Sequence, residues 1–201
     1  KVALRGMAVK RALGSGAKFV IYQEAPGDAV RPYIFKRVYW YEKNSIDVAE
    51  SAFGCKFEYR SWKALCDRAR EFSDAHAERA CEGLELPLDA SVPRDRYLRA
   101  VKLYLAICED FEAVEGTVVG VSANCMNEAC LCDTTPCLAW NLLFERRGIT
   151  WACEGDTMTM LSIHILWNSL QKPLMMTNIY PFLSGLCALN HEKIDRFPDV
   201  S

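Results

Sequence analysis

The sequence has no uninterrupted apolar stretch approaching the roughly 20 residues that cross a bilayer. Its opening segment, KVALRGMAVKRALG, lacks the long apolar core and cleavage site of a secretory leader. These absences predict a soluble, cytoplasmic chain. Long runs of one charge are also missing: 24 Lys and Arg stand against 26 Asp and Glu, for a formal charge of −2. A surface that grips several phosphates normally needs a basic excess, so neither nucleic acid nor membrane is an expected partner. No GxGxxG follows the first predicted strand, and GSG at 14–16 precedes it instead. A nucleotide site of the dinucleotide or P-loop kind is therefore not expected. Ser122 and Ser184 lack a G-x-S-x-G setting, which weakens a hydrolase reading. An initiator Met is absent and the chain stops at FPDVS without a finished element, so both ends are expected to be trimmed.

What is present suits one globular domain. The chain has 201 residues, of which 51% are hydrophobic and 25% charged, enough to bury one sizeable core and too apolar for overall disorder. Ten cysteines lie at positions 55, 66, 81, 108, 125, 130, 132, 137, 153 and 187. A domain of this apolar mass does not need disulfides, so most of these thiols are expected to be reduced and to pack as small hydrophobes.

The pattern alternates strands and helices. AKFVIYQ at 17–23 reads as a strand ending in the breaker-rich EAPGD, residues 44–53 as an amphipathic helix stopped by Gly54, and KFEYRSW as a second strand. Residues 61–82 are helix-permissive, with a break expected near Ser73 and Asp74 and Asp74 as cap. The clearest helix spans Arg94 to Phe111, where Tyr97, Val101, Tyr104, Cys108 and Phe111 recur at spacings of four and three. TVVGV then predicts a buried parallel strand ending near Ser122. Thr135 and Pro136 suit the cap and first position of a helix closed by Gly148. Ile149–Cys153 predicts a strand, 157–169 a helix, Pro173–Thr177 a strand, and Pro181 the start of a helix carrying Leu183, Leu186 and Leu189. Together these predict an α/β fold: an open, mostly parallel, Rossmann-like doubly wound sheet with helices on both faces. The expected division is 1–16 as a linker or flanking helix, 17–190 as the α/β domain, and 191–201 as the start of a truncated C-terminal region.

Ligands of open α/β sheets bind outside the carboxyl ends of the strands. Three polar loops fall there: SANCMNEACLCDTT at 122–135, CEGD at 153–156 and TNIYP at 177–181. If their strands are neighbours, Asn124, Asn127, Glu128, Asp133, Glu154, Asp156 and Asn178 border one crevice. Glu154 and Asp156 are two carboxylates separated by one glycine, a pattern that lets oxygens meet a hard cation or move a proton. Asp156 also suits plain helix capping, and Glu154 a solvated loop. The run C125-x4-C130-x-C132-x4-C137 has enough thiols for a metal but the wrong spacing for a structural zinc site; packed or loop thiols are the expected reading, with a structural metal or iron–sulfur module and a redox or strained reactive thiol as the alternatives. His76 is expected to face solvent, His164 to serve a core or interface, and His191 to interact with a helix dipole.

Three stretches resemble the L-fucose isomerase and L-arabinose isomerase superfamily, the fucose isomerase side above all: YLRAVKLYLAICEDFE at 97–112, TPCLAWNLLFERRGITWACEGDTMTMLSIHIL at 135–166 and KPLMMTNIYPF at 172–182. The resemblance runs over residues 17–180 and matches the family's second α/β domain. It implies aldose–ketose isomerisation of a monosaccharide through an enediol, with a divalent cation, typically Mn²⁺, on the sugar oxygens. By the same resemblance Glu154 is the first carboxylate ligand and the catalytic group. The family's second ligand, an Asp, falls on Asn178, whose amide can coordinate but neither neutralises the cation nor accepts a proton. A metal-binding histidine from a C-terminal β-rich domain and assembly as a homo-oligomer are also implied. The alternative is a non-catalytic carbohydrate-binding or regulatory domain that lost a metal ligand.

Overall fold

A computed structural model of the chain describes residues 13, 16–24, 45–82, 91–125, 129–153, 155–172, 174 and 176. Among them are four strands: β1 (Ala17–Tyr22), β2 (Lys56–Arg60), β3 (Thr117–Ala123) and β4 (Thr150–Ala152). All pairings are parallel and the sheet order is β2-β1-β3-β4. Central β1 is apolar along nearly its whole length, as a strand covered on both faces must be. Edge strand β2 instead alternates Lys56, Glu58 and Arg60 with Phe57 and Tyr59, and charges on an edge discourage pairing with another chain. The α/β architecture and the parallel, doubly wound sheet predicted from the pattern are those observed.

Period-two alternation divides the strand side chains between two cores. Val20, Tyr22, Val121 and Ala123 face one side, against α2 (Trp62–Glu71), α3 (Asp74–Cys81), α4 (Arg94–Glu112) and α5 (Cys137–Arg147). Ala17, Phe19, Ile21 and Ala152 face the other, against α1 (Ser45–Phe53) and α6 (Thr157–Leu170). Trp62 and Trp140 are fully buried in the larger core. Along the edge, Lys18 pairs with Glu58 at 3.1 Å, Glu58 with Arg60 at 2.8 Å, and Arg60 grips both oxygens of Asp110 on α4 at 2.6 and 2.7 Å. Tyr22 donates its hydroxyl to the same carboxylate at 2.6 Å. Burial, followed by the Asp110 charge, pushes the Tyr22 phenol well above its ordinary value. Among the described residues no helix is long and apolar enough to cross a membrane.

Local chemistry moves some boundaries. The break between α2 and α3 falls where expected, but Ser73 is the cap and Asp74 the first helical residue. Ser73 is extended, and its hydroxyl accepts from the His76 N–H at 3.2 Å, which leaves Asp74 to favour the helix dipole. α5 begins at Cys137, one residue later than the Thr135–Pro136 pattern suggests. Pro136 holds the cap position, and its carbonyl accepts the first helical bond from Trp140 at 2.9 Å. Thr135 stands outside the cap and supplies no bond to the helix end. Gly148 closes that helix at φ 65°, a conformation that favours glycine. The predicted strand at 173–177 rests largely on residues outside the described ones; Leu174 and Met176, which are described, belong to no strand. The helix expected from Pro181 and His191 lie outside the described residues.

Candidate functional site

Winding order locates the crevice. From β1 the chain passes to β2 on one side and later to β3 on the other, so the direction of winding reverses between β1 and β3. Helices leave opposite faces at such a point and open a cleft beyond the carboxyl ends of the strands. Gln23 and Glu24 leave β1 there, Asn124 and Cys125 leave β3, and Cys153, Gly155 and Asp156 follow β4.

Specific bonds join these exits. The Asn124 N–H donates to the Tyr22 carbonyl at 3.0 Å, extending the β1–β3 ladder to the rim. Ser122, fully buried, donates its hydroxyl to the Ala152 carbonyl at 2.8 Å and accepts from the Gly155 N–H at 3.1 Å. One side chain therefore ties the end of β3 to both β4 and the loop beyond it. Gly155 adopts φ 76°, a conformation that favours glycine, and a Cβ there would stand in ordinary contact with the Asn124 backbone, at 3.8 Å. The thiols of Cys125 and Cys153 lie 3.9 Å apart beneath the same rim, and Met176 accepts the Cys153 N–H through its sulfur at 3.1 Å.

The structure brings together two of the residues singled out from sequence, Asn124 and the Gly155–Asp156 segment. Asp156 is buried and caps α6: one oxygen accepts from the Thr159 N–H at 2.9 Å and the other from the Thr159 hydroxyl at 2.6 Å. Both carboxylate oxygens thus serve the helix start, the capping alternative of the two offered by the sequence. Asp133 lies against α2, where Arg70 grips its two oxygens at 2.9 and 3.1 Å. That guanidinium holds the Asp133 carboxyl below its usual range. Asn127, Glu128, Glu154 and Asn178 lie outside the described residues. Among the described residues no group of three or more His, Cys, Asp or Glu could hold a metal ion.

Sequence reasoning gave Ser122 and Glu24 no role at the rim, whereas His164 takes the core position expected of it. Ser122 reads there only as a strand end, although a hydroxyl terminating an apolar run signals a polar task at that point. Glu24 accepts from the Lys63 N–H at 2.7 Å and the Ser61 hydroxyl at 2.8 Å, so the residue leaving β1 helps cap α2. His164 is buried on α6 beside Thr150 and edge-on to the Phe19 ring. Burial lowers its pKa and favours the neutral imidazole. No protein-family model matches the chain, and no curated protein matches it.

Proposed function

We propose that the chain is the α/β domain of an aldose–ketose isomerase-type protein whose crevice at the ends of β1, β3 and β4 receives a monosaccharide. The observation that supports this most is the bond from the Gly155 N–H to buried Ser122, which fixes the CEGD loop beside Asn124 at the winding reversal. The described residues on either side, Cys153 and Gly155, donate their N–H groups to Met176 and Ser122, and a fixed frame is what positioning a reacting carbonyl requires. In this reading Glu154 moves the proton between C1 and C2 of the sugar, and Glu154 with the Asn178 amide oxygen holds a divalent cation, Mn²⁺ first. The cation's chemistry is to polarise the sugar oxygens. Asn124, Asn127 and Glu128 are the proposed polar wall, Asp133 being held away from it by Arg70, and Asp156 acts by fixing α6. The protein is proposed to be a cytoplasmic homo-oligomer.

The test is ketose formation from a panel of pentoses and 6-deoxyhexoses with Mn²⁺. Turnover lost in Glu154→Gln supports the reading. No turnover above that variant on any sugar overturns it.

One feature favours a second reading, a carbohydrate-binding domain without catalysis. Asn178 stands where the resembled family has an acid, and an amide leaves a cation site one charge short. Calorimetry separates the two. Sugar binding that a chelator leaves unchanged supports the second reading, and failure to bind any sugar removes it.

A further inference from the structure

Away from the crevice, the connection from β3 to α5 folds back onto α2. Arg70 of α2 holds it there: besides its grip on Asp133, the guanidinium donates to the Leu131 carbonyl at 2.9 Å. Cys132 sits between those two anchors and so meets Cys66, which lies one helical turn before Arg70. The two thiols line one cavity wall and each acts on the other, and the backbone N–H groups of Asp133 and Thr134 also favour the Cys132 thiolate. Successive N–H groups converging on one atom form an anion-stabilising nest.

These three donors draw Cys132 toward its thiolate, with Cys66 the largest influence, while burial and, less strongly, the Asp133 charge oppose them. Donation to Cys132 and burial hold Cys66 as the thiol. The pair lines a cavity of about 500 Å³ whose wall also carries Arg70, Arg99, Lys102 and Thr134. Arg70 is engaged by Asp67 and Asp133, Arg99 by Asp95, and Lys102 by Asp74. Exposure separates the two sulfurs: Cys66 is 1% exposed, whereas Cys132 is half-buried and reachable from the cavity.

We propose that Cys132 is a peroxide-reactive thiol and Cys66 its resolving partner, so that a hydroperoxide converts the pair into a disulfide bolting the β3–α5 connection to α2. In the first step the Cys132 thiolate attacks one peroxide oxygen and the O–O bond breaks. Sulfur keeps the hydroxyl as a sulfenic acid, and the other oxygen leaves with a proton, as water when the oxidant is hydrogen peroxide. In the second, the Cys66 sulfur attacks the sulfenic sulfur, the S–O bond breaks, and the hydroxyl leaves as water with the Cys66 proton. Two thiols lose two electrons in all, and one hydrogen peroxide becomes two waters.

The test uses the reduced, purified chain with about one equivalent of hydrogen peroxide, followed by non-reducing digestion and mass spectrometry. A thiol drawn toward the thiolate gains reactive population and loses some nucleophilicity, so Cys132 should be consumed about threefold faster than exposed Cys130 and Cys137. The first cross-linked peptide should join Cys66 to Cys132. In Cys66→Ser, dimedone should trap a sulfenic acid on Cys132, and in Cys132→Ser, Cys66 should stay reduced. Consumption of Cys130 or Cys137 as fast as Cys132, or a Cys125–Cys153 disulfide forming first, would overturn the proposal. The map of the unsubstituted chain decides this even if a variant fails to fold.

Discussion

A single missing side chain shows how strictly the centre of the sheet is packed. Gly120 lies opposite Phe19 in the β1–β3 register, and a Cβ on it would come within 2.5 and 2.7 Å of the Phe19 ring and 3.2 Å of Met160. The Phe19 ring cannot swing clear, because it is fully buried, stacked on Phe57 at 5.2 Å and edge-on to His164 at 5.5 Å. Gly120→Ala should therefore destabilise the fold by about 1–3 kcal/mol through overpacking, read as a lower urea midpoint with an unchanged slope. An equal midpoint would show that the ring has room to move. The sequence displays Gly120 only as one letter of an apolar run. Its necessity arises from Phe19, a hundred residues earlier, and local periodicity carries no information on such a contact. The same holds for Cys132, whose spacing to Cys125, Cys130 and Cys137 suggests nothing of Cys66.

At the scale of elements, the helix ends were the most legible features and also the places where single-residue shifts occurred. Asp156 before α6 and Gly148 after α5 follow from backbone chemistry that acts within a few residues. Ser73 took the cap expected at Asp74 because its hydroxyl accepts from the His76 N–H, and Pro136 took the cap expected at Thr135, so that the helix begins at Cys137. The crevice was legible to the extent that strand exits were: Asn124 and Asp156 lie at the ends of β3 and β4, while Asp133 was drawn off by Arg70, a partner that only the folded layer supplies. Asp156 offers a quantitative check. Its two oxygens satisfy Thr159 twice in a buried setting, so Asp156→Ala should cost about 1–2 kcal/mol, the upper part of the range for a lost cap. Asp156→Asn keeps one acceptor for the Thr159 N–H and should cost less than half as much. Thermal unfolding of both variants checks this, and equal losses would mean that the negative charge, not the cap, is what the site needs.

For the molecule as a whole, paired carboxylates and one buried imidazole among the described residues make stability depend on pH in separate windows. Glu50, Glu58, Asp67, Glu109 and Asp133 all have carboxyl pKa values below their ordinary ones, and each is paired with Lys or Arg near the surface. An acid with a depressed folded value stabilises the fold above its unfolded pKa and loses that contribution as pH falls through the folded one. This loss therefore lies below about pH 4.5, and because the pairs are exposed, added salt should shrink it. His164 is different in kind. Burial in the α6 face of the core pushes it below its ordinary value of 6.5, so the unfolded chain takes up a proton before the folded one does. Its contribution is complete above pH 6.5 and declines as pH falls from there toward the folded value. Chemical unfolding measured from pH 8 to pH 3 should consequently show two descending steps, an upper one beginning near pH 6.5 and nearly insensitive to salt, and a lower one that salt weakens. His164→Gln should remove the upper step and leave the lower. A single acid step in the parent chain, or an upper step that persists without His164, would show that the imidazole is protonated at no cost inside the fold.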